Sequence, residues 1–580
     1  MDLMGILTAI DGVLWHRYIL FALLGTGVLF TVWSTFGQYR ALTHGVAVVR
    51  GKFDRKDDPG AINHFQALST ALSATVGLGN IAGVAIAISL GGPGAVFWMW
   101  VTGLVGMALK MTEVTQSMLY RDTSDPENPR GGPMWVCKKG FAQISPALAP
   151  LGVIIGGIFC ITLVISTVTG GNMFQAWNVA DLGFNYFGIP QIVTGIVMAI
   201  AVGMVIIGGI KRIGDVAGRV VPIMCVLYLL AGLYVVIVNI GDVPQLLGLI
   251  VREAFTPTEA VGAFIGGTAG YGFLVGMQRA LFSNEAGQGS APIAHSAAKT
   301  DEPVREGVVA GLEPFIDTLC VCTITALVIL LSGTWNRPPA LIFTDGVPTA
   351  ERTVAANGAV AWQFAPIKVN LRDSNEGKGQ MRDGTEVILQ VDAGTNNVTG
   401  GQRHRIQGLL RGNPEQGWRV EMQSFASSDP PSVVHDGVFL NFNGATLTAK
   451  AFDRVLPGLG IWIVPATALL FAFSTMISWS YYGEQGVSYF FGAKSVMPYR
   501  FLFCLMILVS ATPYVNATTI LNISSLGTGV MLWANIPIML IFGPMAMRAY
   551  HDYMRKLKAG EFVGHEYPKV TDVIEGKDVE

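Results

Sequence analysis

Charged residues are scarce in this chain. Asp, Glu, Lys and Arg together make up 13% of its 580 residues, whereas soluble globular proteins average about 25%. Hydrophobic residues make up 51%, and 70 positions are glycine. This balance excludes an ordinary soluble domain and is typical of an all-α polytopic membrane protein, in which glycine lets neighbouring helices approach closely. The net charge of −2 gives no reason to expect a nucleic-acid partner.

Cysteine is also rare and follows no pattern. The six cysteines lie in or beside apolar segments, so we expect no disulfide framework, and Cys320 and Cys322 lack the partners of a metal site. Residues 1–15 have neither a basic start nor a small-residue cleavage site, and we expect no removable signal peptide. The sequence also lacks a nucleophile–base pair and a nucleotide-binding loop, so it is not expected to be an enzyme.

Long apolar runs dominate what is present. A run of about 20 apolar residues is long enough to cross a bilayer as a helix. Eleven such spans are predicted, at residues 18–37, 64–90, 94–119, 148–171, 189–210, 217–240, 260–283, 307–333, 457–482, 497–516 and 521–547. The lipid bilayer is therefore the expected environment of most of the chain.

Lysine and arginine are divided unequally between the loops. One set of alternate loops, with the tail after the last span, carries Arg40, Arg50, Lys52, Arg55, Lys56, Arg121, Arg130, Lys138, Lys139, Lys211, Arg212, Lys299, Arg305, Lys494, Arg500, Arg548, Arg555, Lys556 and Lys558. Apart from one long insertion, the other set has little more than Arg17 and Arg252. Because positively charged loops stay in the cytoplasm, we expect a multi-pass protein of the cell (inner) membrane with its N-terminus outside and its C-terminus inside.

The region 334–453 interrupts the helical pattern. Apolar and polar residues alternate at residues 386–391 and 418–422, between clusters of Gly, Asn and Asp, which is typical of short antiparallel strands. We expect a small extracytoplasmic β insertion, which is either a module for an unknown partner or an insertion that an outer loop tolerates. The predicted division is 1–63 (N-terminal helix and cytoplasmic loop), 64–333 (core helices one to seven), 334–453 (insertion), 454–547 (core helices eight to ten) and 548–580 (cytoplasmic tail).

The span at 64–90 has an unusual middle. Residues 69–80 read STALSATVGLGN and place glycines and small polar side chains where a lipid-facing helix carries Leu or Ile. Irregular backbone at membrane depth is tolerated only inside protein or beside a cavity, and an interrupted span is a good sequence indicator of a transporter's binding site. We therefore predict that residues 73–80 hold the cargo.

A second glycine-rich span follows five helices later. Residues 262–272 read GAFIGGTAGYG, with five glycines in eleven residues. If the helices after the first form a core of ten, the two interruptions occupy corresponding places in two halves of five, which is the pattern of an inverted repeat. Glycines that merely pack helices together are the alternative.

Interrupted helices have specific binding chemistry. The N-terminus of a half-helix offers free N–H groups and the positive end of a dipole to a carboxylate, whereas freed carbonyls suit a small cation. A zwitterionic amino acid together with sodium would satisfy both ends. Since glycines and hydroxyls dominate both interruptions, we expect a small substrate such as alanine, glycine or serine.

Other polar groups lie in or near the spans. Gln175 faces either the cavity or the outer interface, and the hydroxyls of Ser474 and Thr475 suit sodium, although such hydroxyls commonly bond their own helix. Asp317 has either a gating or proton-relay role, or a structural pairing with backbone donors. The run at 283–287 is expected to shape a cytoplasmic loop at an inner gate.

Seven stretches resemble the alanine or glycine:cation symporters, the sodium:alanine symporters of prokaryotes. They are residues 71–83 (ALSATVGLGNIAG), 91–98 (GGPGAVFW), 131–133 (GGP), 171–175 (GNMFQ), 281–295 (LFSNEAGQGSAPIAH), 315–318 (FIDT) and 479–484 (WSYYGE). The resemblance covers nearly the whole chain apart from the insertion. It implies a LeuT-like fold of five-plus-five inverted helices, preceded here by one extra helix, and sodium-coupled symport of alanine or glycine by alternating access.

The resemblance also implies the residues of the binding site. Sodium, the expected coupling ion, would be bound by Ser73, Val76, Ser474 and Thr475. The amino acid would lie among Thr75, Gly77, Gly79, Asn80, Gln175, Phe264, Gly266, Gly267, Thr268 and Trp479.

Three other functions stay open at this point. An ion channel usually needs rings of carbonyls or charges around one symmetry axis, whereas this chain is expected to carry its own internal pseudo-symmetry. A transporter-like sensor would use the outer β insertion, although the sequence shows no cytoplasmic signalling domain. A proton-coupled amino acid transporter differs from the main hypothesis only in its coupling ion.

Overall fold

Helices occupy most of the chain on both sides of a β-strand region. The computed structural model describes residues 10–55, 57–259, 262–354, 360–372, 382–396, 398–415, 417–442, 444–512, 514–515, 517–564 and 567–576. The longer helices are α1 (Arg17–Trp33), α2 (His64–Thr75), α3 (Val84–Gly91), α4 (Gly94–Tyr120), α5 (Pro133–Ile144), α6 (Ala149–Val168), α7 (Phe174–Phe187), α8 (Gln191–Ile206), α9 (Gly209–Val238), α10 (Val243–Glu253), α11 (Ala269–Asn284), α12 (Ala291–His295), α13 (Pro303–Ala310), α14 (Thr323–Leu331), α15 (Ala445–Val455), α16 (Leu459–Phe491), α17 (Val496–Ser510), α18 (Ala517–Ala559) and α19 (Val570–Glu575). Shorter helical segments are Gly37–Arg40, Val46–Val49, Pro146–Leu148, Leu312–Pro314 and Ala493–Ser495, with wider π-helical turns at Ala41–Gly45, Gly79–Gly83, Thr169–Met173 and Phe315–Cys322.

Long apolar helices are the main feature of this fold. Among the described residues, eight helical runs are long and apolar enough to cross a membrane, and nine if the bent pair α2–α3 counts as one span. These runs overlap nine of the eleven predicted spans. The other two predictions, 189–210 and 260–283, correspond to α8 and α11, which have only 16 residues each.

The outward-facing side chains of these helices are apolar. Ile154, Ile158 and Ile161 of α6 and Ile196 and Ile200 of α8 are all exposed. A surface of this kind is unfavourable next to water and stable next to lipid. The predicted class is therefore confirmed: the chain is a mostly helical, multi-pass membrane protein.

A capping box fixes the beginning of α2. The Asn63 side chain accepts a hydrogen bond from the Gln66 N–H at 2.8 Å, and the Gln66 side chain accepts one from the Asn63 N–H at 3.2 Å. Asn63 Nδ2 also donates to the Val573 carbonyl at 2.7 Å, which ties the start of α2 to α19 near the C-terminus. We call this end of the helix bundle the tail side.

Ten strands occupy the described part of the region between α14 and α15. They are β1 (Leu341–Phe343), β2 (Ala350–Val354), β3 (Val360–Phe364), β4 (Ile367–Leu371), β5 (Glu386–Asp392), β6 (Arg403–Asn413), β7 (Gly417–Met422), β8 (Phe425–Ala426), β9 (Ser432–Val433) and β10 (Gly437–Leu440). Six of them close into an antiparallel barrel in the order β10-β1-β4-β7-β6-β5, because β5 also pairs with β10. β9 pairs with β5, and β2, β3 and β8 form a separate small sheet.

Alternate residues of the strands fill the barrel. Val387, Leu389 and Val391 of β5 are buried, whereas Glu386 at its start is exposed. Leu389 lies opposite Ile406 of β6 in the antiparallel register. This alternation follows from the two-residue period of a strand, and it is the pattern by which the strands were predicted.

The barrel lies on the helices at the end where α3 stops. Arg405 of β6 donates to the Ser89 carbonyl in α3 at 2.9 Å. The Thr268 N–H, at the start of α11, donates at 2.9 Å to the carbonyl of Thr399, which lies between β5 and β6. We call this end the barrel side. The α2–α3 pair therefore runs from the tail side to the barrel side.

Candidate functional site

The first candidate site is the bend between α2 and α3 at residues 76–78. The two helices meet there at an angle of 47°. The Gly77 N–H donates to Asn80 Oδ1 at 2.8 Å, and the Leu78 N–H donates to Gln175 Oε1 at 3.1 Å. Because backbone groups inside a membrane need a partner from within the protein, these two side-chain amides take the place of the missing helical bonds.

Glycine is required at position 77 by the close approach of α16. A Cβ atom on Gly77 would lie 2.4 Å from Thr475 Oγ1 and 3.3 Å from Gln175 Oε1. Contacts as short as the first essentially never occur in proteins. The bend can therefore reach α16 and α7 only because this residue has no side chain.

Oxygen atoms from α2 and α16 converge beside the bend. The Thr475 hydroxyl donates to the Ser73 carbonyl at 2.9 Å, and the Ser73 hydroxyl donates to the Ser474 carbonyl at 3.0 Å and contacts the Ser478 hydroxyl. Val76 is the residue that ends α2. All five residues are buried. The structure thus brings together Ser73, Ser474 and Thr475 of the four predicted sodium-binding residues. It places the fourth, Val76, at the end of α2, and it adds Ser478, which the sequence analysis did not name.

Ser474 takes part through its backbone rather than its side chain. Its hydroxyl donates to the Phe471 carbonyl at 3.0 Å and to Met224 Sδ at 3.3 Å. This is the common fate of a serine inside a helix. Its carbonyl, by contrast, accepts the hydrogen bond from Ser73 Oγ.

A small cavity adjoins the bend. Its volume is about 10 Å³, which is room for about one water molecule. Four predicted substrate residues line it, namely Thr75, Gly79, Gln175 and Trp479. Seven lining residues were not predicted, namely Ala74, Ser166, Gly170, Phe282, Glu285, Gln288 and Thr528.

Trp479 forms one wall of this cavity. Its indole N–H donates to the Ala74 carbonyl at 3.3 Å, so the ring is attached to the last turn of α2. A Cβ atom on Gly171 would lie 2.3 Å from Trp479 Cγ. The ring therefore packs directly on the backbone of the π-helical turn between α6 and α7.

The residues predicted for the second half of the site lie away from this cavity. Phe264, Gly266, Gly267 and Thr268 precede α11 and lie at the barrel side, and none of them lines the cavity. Phe264 packs against the ring of Trp335, with the ring centroids 5.5 Å apart. Gly266 has φ +72°, so these glycines shape a turn under the barrel instead of interrupting a helix.

The interruption that does reach the cavity lies at residues 285–290. α11 ends before it and α12 begins after it. Glu285, Gly287 and Gly289 all have positive φ values, of 56°, 80° and 78°, a conformation that glycine adopts readily and glutamate rarely. Glu285 and Gln288 line the cavity. The residues 283–287 expected to form a gate loop are therefore part of the candidate site, and the spacing of the two glycines was the available signal.

Asp317 connects the two interruptions. Its carboxylate accepts hydrogen bonds from Asn80 Nδ2 at 2.5 Å and from the Ser283 hydroxyl at 3.0 Å. Asn80 in turn accepts the hydrogen bond from the Gly77 N–H. Thr318 supplies a further donor to the carboxylate at 2.7 Å. Asp317 is fully buried and fixes the relative position of the first bend and the end of α11.

A row of charged and ionisable side chains fills the tail side below the cavity. In order from the protein surface inward, they are Asp54, His64, Glu306, His295, Glu313 and Lys110. His295 Nδ1 lies 2.5 Å from Glu306 Oε1 and its Nε2 lies 2.7 Å from Glu313 Oε1. Glu313 Oε2 is 3.2 Å from Lys110 Nζ. These contacts join α2, α4, α12 and α13 and close this side of the bundle.

We expect Gly77→Ala to lower the unfolding temperature of the detergent-solubilised protein. The new methyl group would collide with the Thr475 hydroxyl, and overpacking of this kind costs about 1–3 kcal/mol. Gly83→Ala is the matched control on the same span, because a Cβ atom there meets nothing within 4 Å. Equal unfolding temperatures for the two variants, measured side by side, would contradict the close packing of the bend.

Comparison with known proteins identifies the family. The sequence model of the sodium:alanine symporter family matches residues 1–369 and 433–566. The sodium/alanine symporter AgcS of Methanococcus maripaludis is 34% identical over 544 residues, which are 94% of this chain and 96% of that protein. A putative sodium/proton-dependent alanine carrier, YrbD of Bacillus subtilis, is 29% identical over 95% of this chain and 93% of its own length. The probable sodium/glutamine symporter GlnT of the same organism is 36% identical over 57% of this chain and 66% of its own length.

Two solved structures have a distant likeness to the chain. The crystal structure of MhsT in complex with L-phenylalanine has a TM-score of 0.43 at 12% identity, over 83% of this chain and 89% of that one. The structure of a mutant manganese transporter from Eremococcus coleocola has a TM-score of 0.44 at 13% identity, over 90% and 95%. The resemblance stated from the sequence motifs is confirmed by the family match. The chain is a transporter rather than an enzyme, and it belongs to the sodium:alanine symporter family.

Proposed function

We propose that this protein takes up alanine, or a comparably small neutral amino acid, together with sodium by alternating access. One observation carries the proposal: two interrupted helices meet at a cavity of about 10 Å³, and a cluster of carbonyl and hydroxyl oxygens lies directly beside it. The similarity to a protein named sodium/alanine symporter over 94% of the chain supports it.

Sodium binds in this proposal between α2 and α16. Its ligands are the carbonyls of Ser73 and Val76 and the hydroxyl of Thr475. Ser474 contributes its carbonyl, and Ser478, one turn later in α16, contributes its hydroxyl. Hard cations prefer oxygen ligands, and the carbonyls at the end of a half-helix carry the negative end of its dipole. The hydrogen bond from Thr475 to the Ser73 carbonyl supports this position, because the same two oxygens would turn toward the ion.

The amino acid binds on the other side of the bend. Its carboxylate takes the N–H groups of residues 77–79, two of which now bond to Asn80 and Gln175. Its ammonium group faces Glu285 and Gln288 across the cavity. Thr75, Gly79 and Trp479 complete the walls.

The cavity favours a small side chain. It has room for about one water molecule, so even alanine must displace the surrounding side chains when it binds. A leucine or glutamine side chain would have to displace the Trp479 or Phe282 ring as well. Glycine, alanine and serine are therefore the expected substrates.

The proposed architecture has eleven spans. The short helices α8 and α11 are the two that complete this number, and the ten helices after α1 form two inverted halves of five in a LeuT-like arrangement. The units are 1–63, 64–333, 334–453, 454–547 and 548–580. The correspondence of α2–α3 with α11–α12, each interrupted beside the same cavity, supports the repeat.

The protein is oriented with the barrel outside the cell (inner) membrane. We expect the N-terminus to be outside and the C-terminus in the cytoplasm, which makes the tail side the cytoplasmic side. The Lys and Arg residues of the alternate loops support this orientation.

Coupling to protons is the second candidate, and the tail-side row of ionisable groups favours it. The row runs from Asp54 to Lys110 without a gap. Each of its four inner residues contacts the residue before it through one side-chain atom and the residue after it through another; they are His64, Glu306, His295 and Glu313. Rows of buried Glu and His are the usual proton relays of membrane transporters. One relative is named as sodium/proton-dependent.

Proteoliposomes with the purified protein should accumulate labelled alanine when a sodium gradient is directed inward. Replacing sodium by potassium should abolish accumulation, because sodium is the proposed coupling ion. Equal uptake in both salts contradicts sodium coupling, and accumulation that follows an imposed proton gradient in the absence of sodium favours the second candidate.

The inhibition of alanine uptake by another amino acid should decrease as the side chain of that amino acid becomes larger. We expect unlabelled glycine and serine to reduce alanine uptake, whereas leucine and glutamine at the same concentration should leave it unchanged, because the Trp479 and Phe282 rings limit the cavity. The measurement is initial uptake at a fixed sodium gradient. Stronger inhibition by leucine than by unlabelled alanine would refute the size argument.

Thr475→Val should raise the sodium concentration for half-maximal uptake. The substitution keeps the shape and removes one oxygen, and a bond to a charged group is worth roughly 1.5–3 kcal/mol, so a shift of about tenfold or more is expected. Thr467→Val is the matched control, since Thr467 is buried in the same helix but bonds only within it, to Ile463 and Val464. A sodium dependence identical in both variants excludes Thr475 as a ligand.

Asp317→Asn should raise the KM for alanine by about tenfold. The carboxylate accepts hydrogen bonds from Asn80, Ser283 and Thr318, whereas an amide has a single accepting oxygen with two lone pairs and cannot accept from all three. A buried unsatisfied group costs roughly 1–3 kcal/mol. Asp301→Asn makes the same change at an exposed carboxylate and should have no effect. Uptake kinetics at saturating sodium provide the test. An unchanged KM in the Asp317 variant would show that the link between the two interruptions is not needed for binding.

A further inference from the structure

A second cavity, larger than the one at the bend, lies under the β barrel. A cavity of about 390 Å³ lies between the barrel and the barrel-side ends of the helices, and we call it the vestibule. Small-molecule sites generally measure about 300–1,000 Å³. Its walls come from α3, α7, α15 and α18 on the helix side and from β5, β6 and β10 on the barrel side. The family model leaves residues 370–432 unmatched, and part of the barrel-side wall belongs to this segment.

The vestibule lies next to the substrate cavity. Phe174 lines the vestibule and Phe282 lines the substrate cavity. The two rings pack edge to face with their centroids 4.9 Å apart. Gln175, which holds the bend, directly follows Phe174 in α7. A solute arriving from the barrel side would therefore occupy the vestibule before it reaches the bend.

The charges that line the vestibule all have one sign. Arg337 and Arg405 are lining residues, and no Asp or Glu is found among the described residues of its wall. Arg337 donates to the carbonyls of Thr334 and Leu440 and lies over the Phe442 ring. The vestibule is thus a partly enclosed cationic space at the entrance to the transport site.

Arg405 is the more unusual of the two arginines. Its Nη2 donates to the carbonyls of Ser89 and Ala263, both at 2.9 Å. Its Nε is buried without a hydrogen-bond partner, and no carboxylate of the described residues forms an ion pair with it. Burial lowers the pKa of Arg405 to about 10, so the side chain is still charged at neutral pH. The Arg405 side chain is only partly exposed, and a charge with little access to water and no counter-ion is costly. An anion would complete this arrangement.

We infer that the vestibule is a second binding site, in which Arg405 holds the carboxylate of an incoming amino acid. This inference rests on the proposed function, because it takes the transported amino acid as the ligand. Arginine is well suited to carboxylates, since its planar fork of N–H groups makes two parallel hydrogen bonds. The side-chain amides of Gln407, Gln423 and Asn441 in the same wall supply acceptors for the ammonium group. The barrel then serves to collect substrate at the entrance rather than only to cover it.

Equilibrium binding of labelled alanine to the full chain in lipid nanodiscs, with saturating sodium, tests the inference. The wild type should bind two molecules per chain, and Arg405→Gln should bind one. Arg403→Gln is the matched control, because Arg403 lies on the same strand and pairs with Asp392 at 3.2 Å; it should keep two. Arg405→Lys retains the charge and should restore the second molecule with lower affinity.

Uptake kinetics give an independent readout. Arg405→Gln should raise the KM for alanine about fivefold to tenfold while kcat stays unchanged, because only capture is weakened. Should that variant fold poorly, Ser424→Trp fills the vestibule from its wall and should likewise remove one binding site.

The outcomes separate the two proposals. One molecule per chain in both the wild type and Arg405→Gln, with equal KM values, overturns the vestibule site and leaves the transport function intact. An altered unfolding temperature of Arg405→Gln with two molecules still bound assigns Arg405 a purely structural role and also overturns it. No alanine binding by the wild type overturns both proposals.

Discussion

Backbone hydrogen bonding inside the membrane is the constraint on which the rest of this structure depends. A helix that stops at membrane depth leaves N–H and C=O groups that lipid cannot satisfy, at a cost of several kcal/mol for each. At the first bend, the side-chain amides of Asn80 and Gln175 accept hydrogen bonds from two of these N–H groups. On the other side of the bend, the Thr475 hydroxyl meets the Ser73 carbonyl. Side chains therefore hydrogen-bond the backbone N–H groups that a substrate would use and the carbonyl that an ion would use. These hydrogen bonds can break when the substrate or the ion binds.

The same constraint explains why so much polar chemistry is buried around the bend. Asp317 accepts from Asn80 and from Ser283, so the two interruptions are positioned by one carboxylate. Below it, the tail-side row from His64 to Lys110 closes the bundle with contacts that an opening on the tail side would have to break. Above it, the edge-to-face pair of Phe174 and Phe282 separates the cavity at the bend from the vestibule. An alternating-access transporter needs a gate on each side of its binding site. The tail-side row lies on one side of the bend and the Phe174–Phe282 pair lies on the other.

Much of the fold could be predicted from the sequence, because the signals were local. Apolar runs indicated nearly all of the long helices, and alternation at 386–391 indicated β5. The first bend was predicted because small polar residues replaced Leu and Ile within an apolar span. The residues proposed to bind sodium were indicated by the family resemblance, and the structure places two of them, Ser73 and Thr475, in contact.

The second interruption could not be placed in the same way. The glycines at 262–272 have the composition of a broken helix, but they form a turn whose partners belong to the barrel, as the bond from Thr268 to Thr399 illustrates. The residues 285–290 look like a polar loop, and only their tertiary position brings Glu285 and Gln288 to the cavity. Arg405 is a further example, since a charged residue in the predicted β insertion gives no sign that it reaches the end of α3. Long-range packing decided each of these cases, and it has no local signature.

Sodium and alanine are proposed to occupy neighbouring positions on the two sides of one bend. The most direct test is calorimetry on the purified protein in nanodiscs, which measures the affinity for alanine at several sodium concentrations and the affinity for sodium with and without alanine. Because linkage is reciprocal, the two affinities should rise together and by the same factor. Alanine binding of equal strength in sodium and in choline would contradict the account.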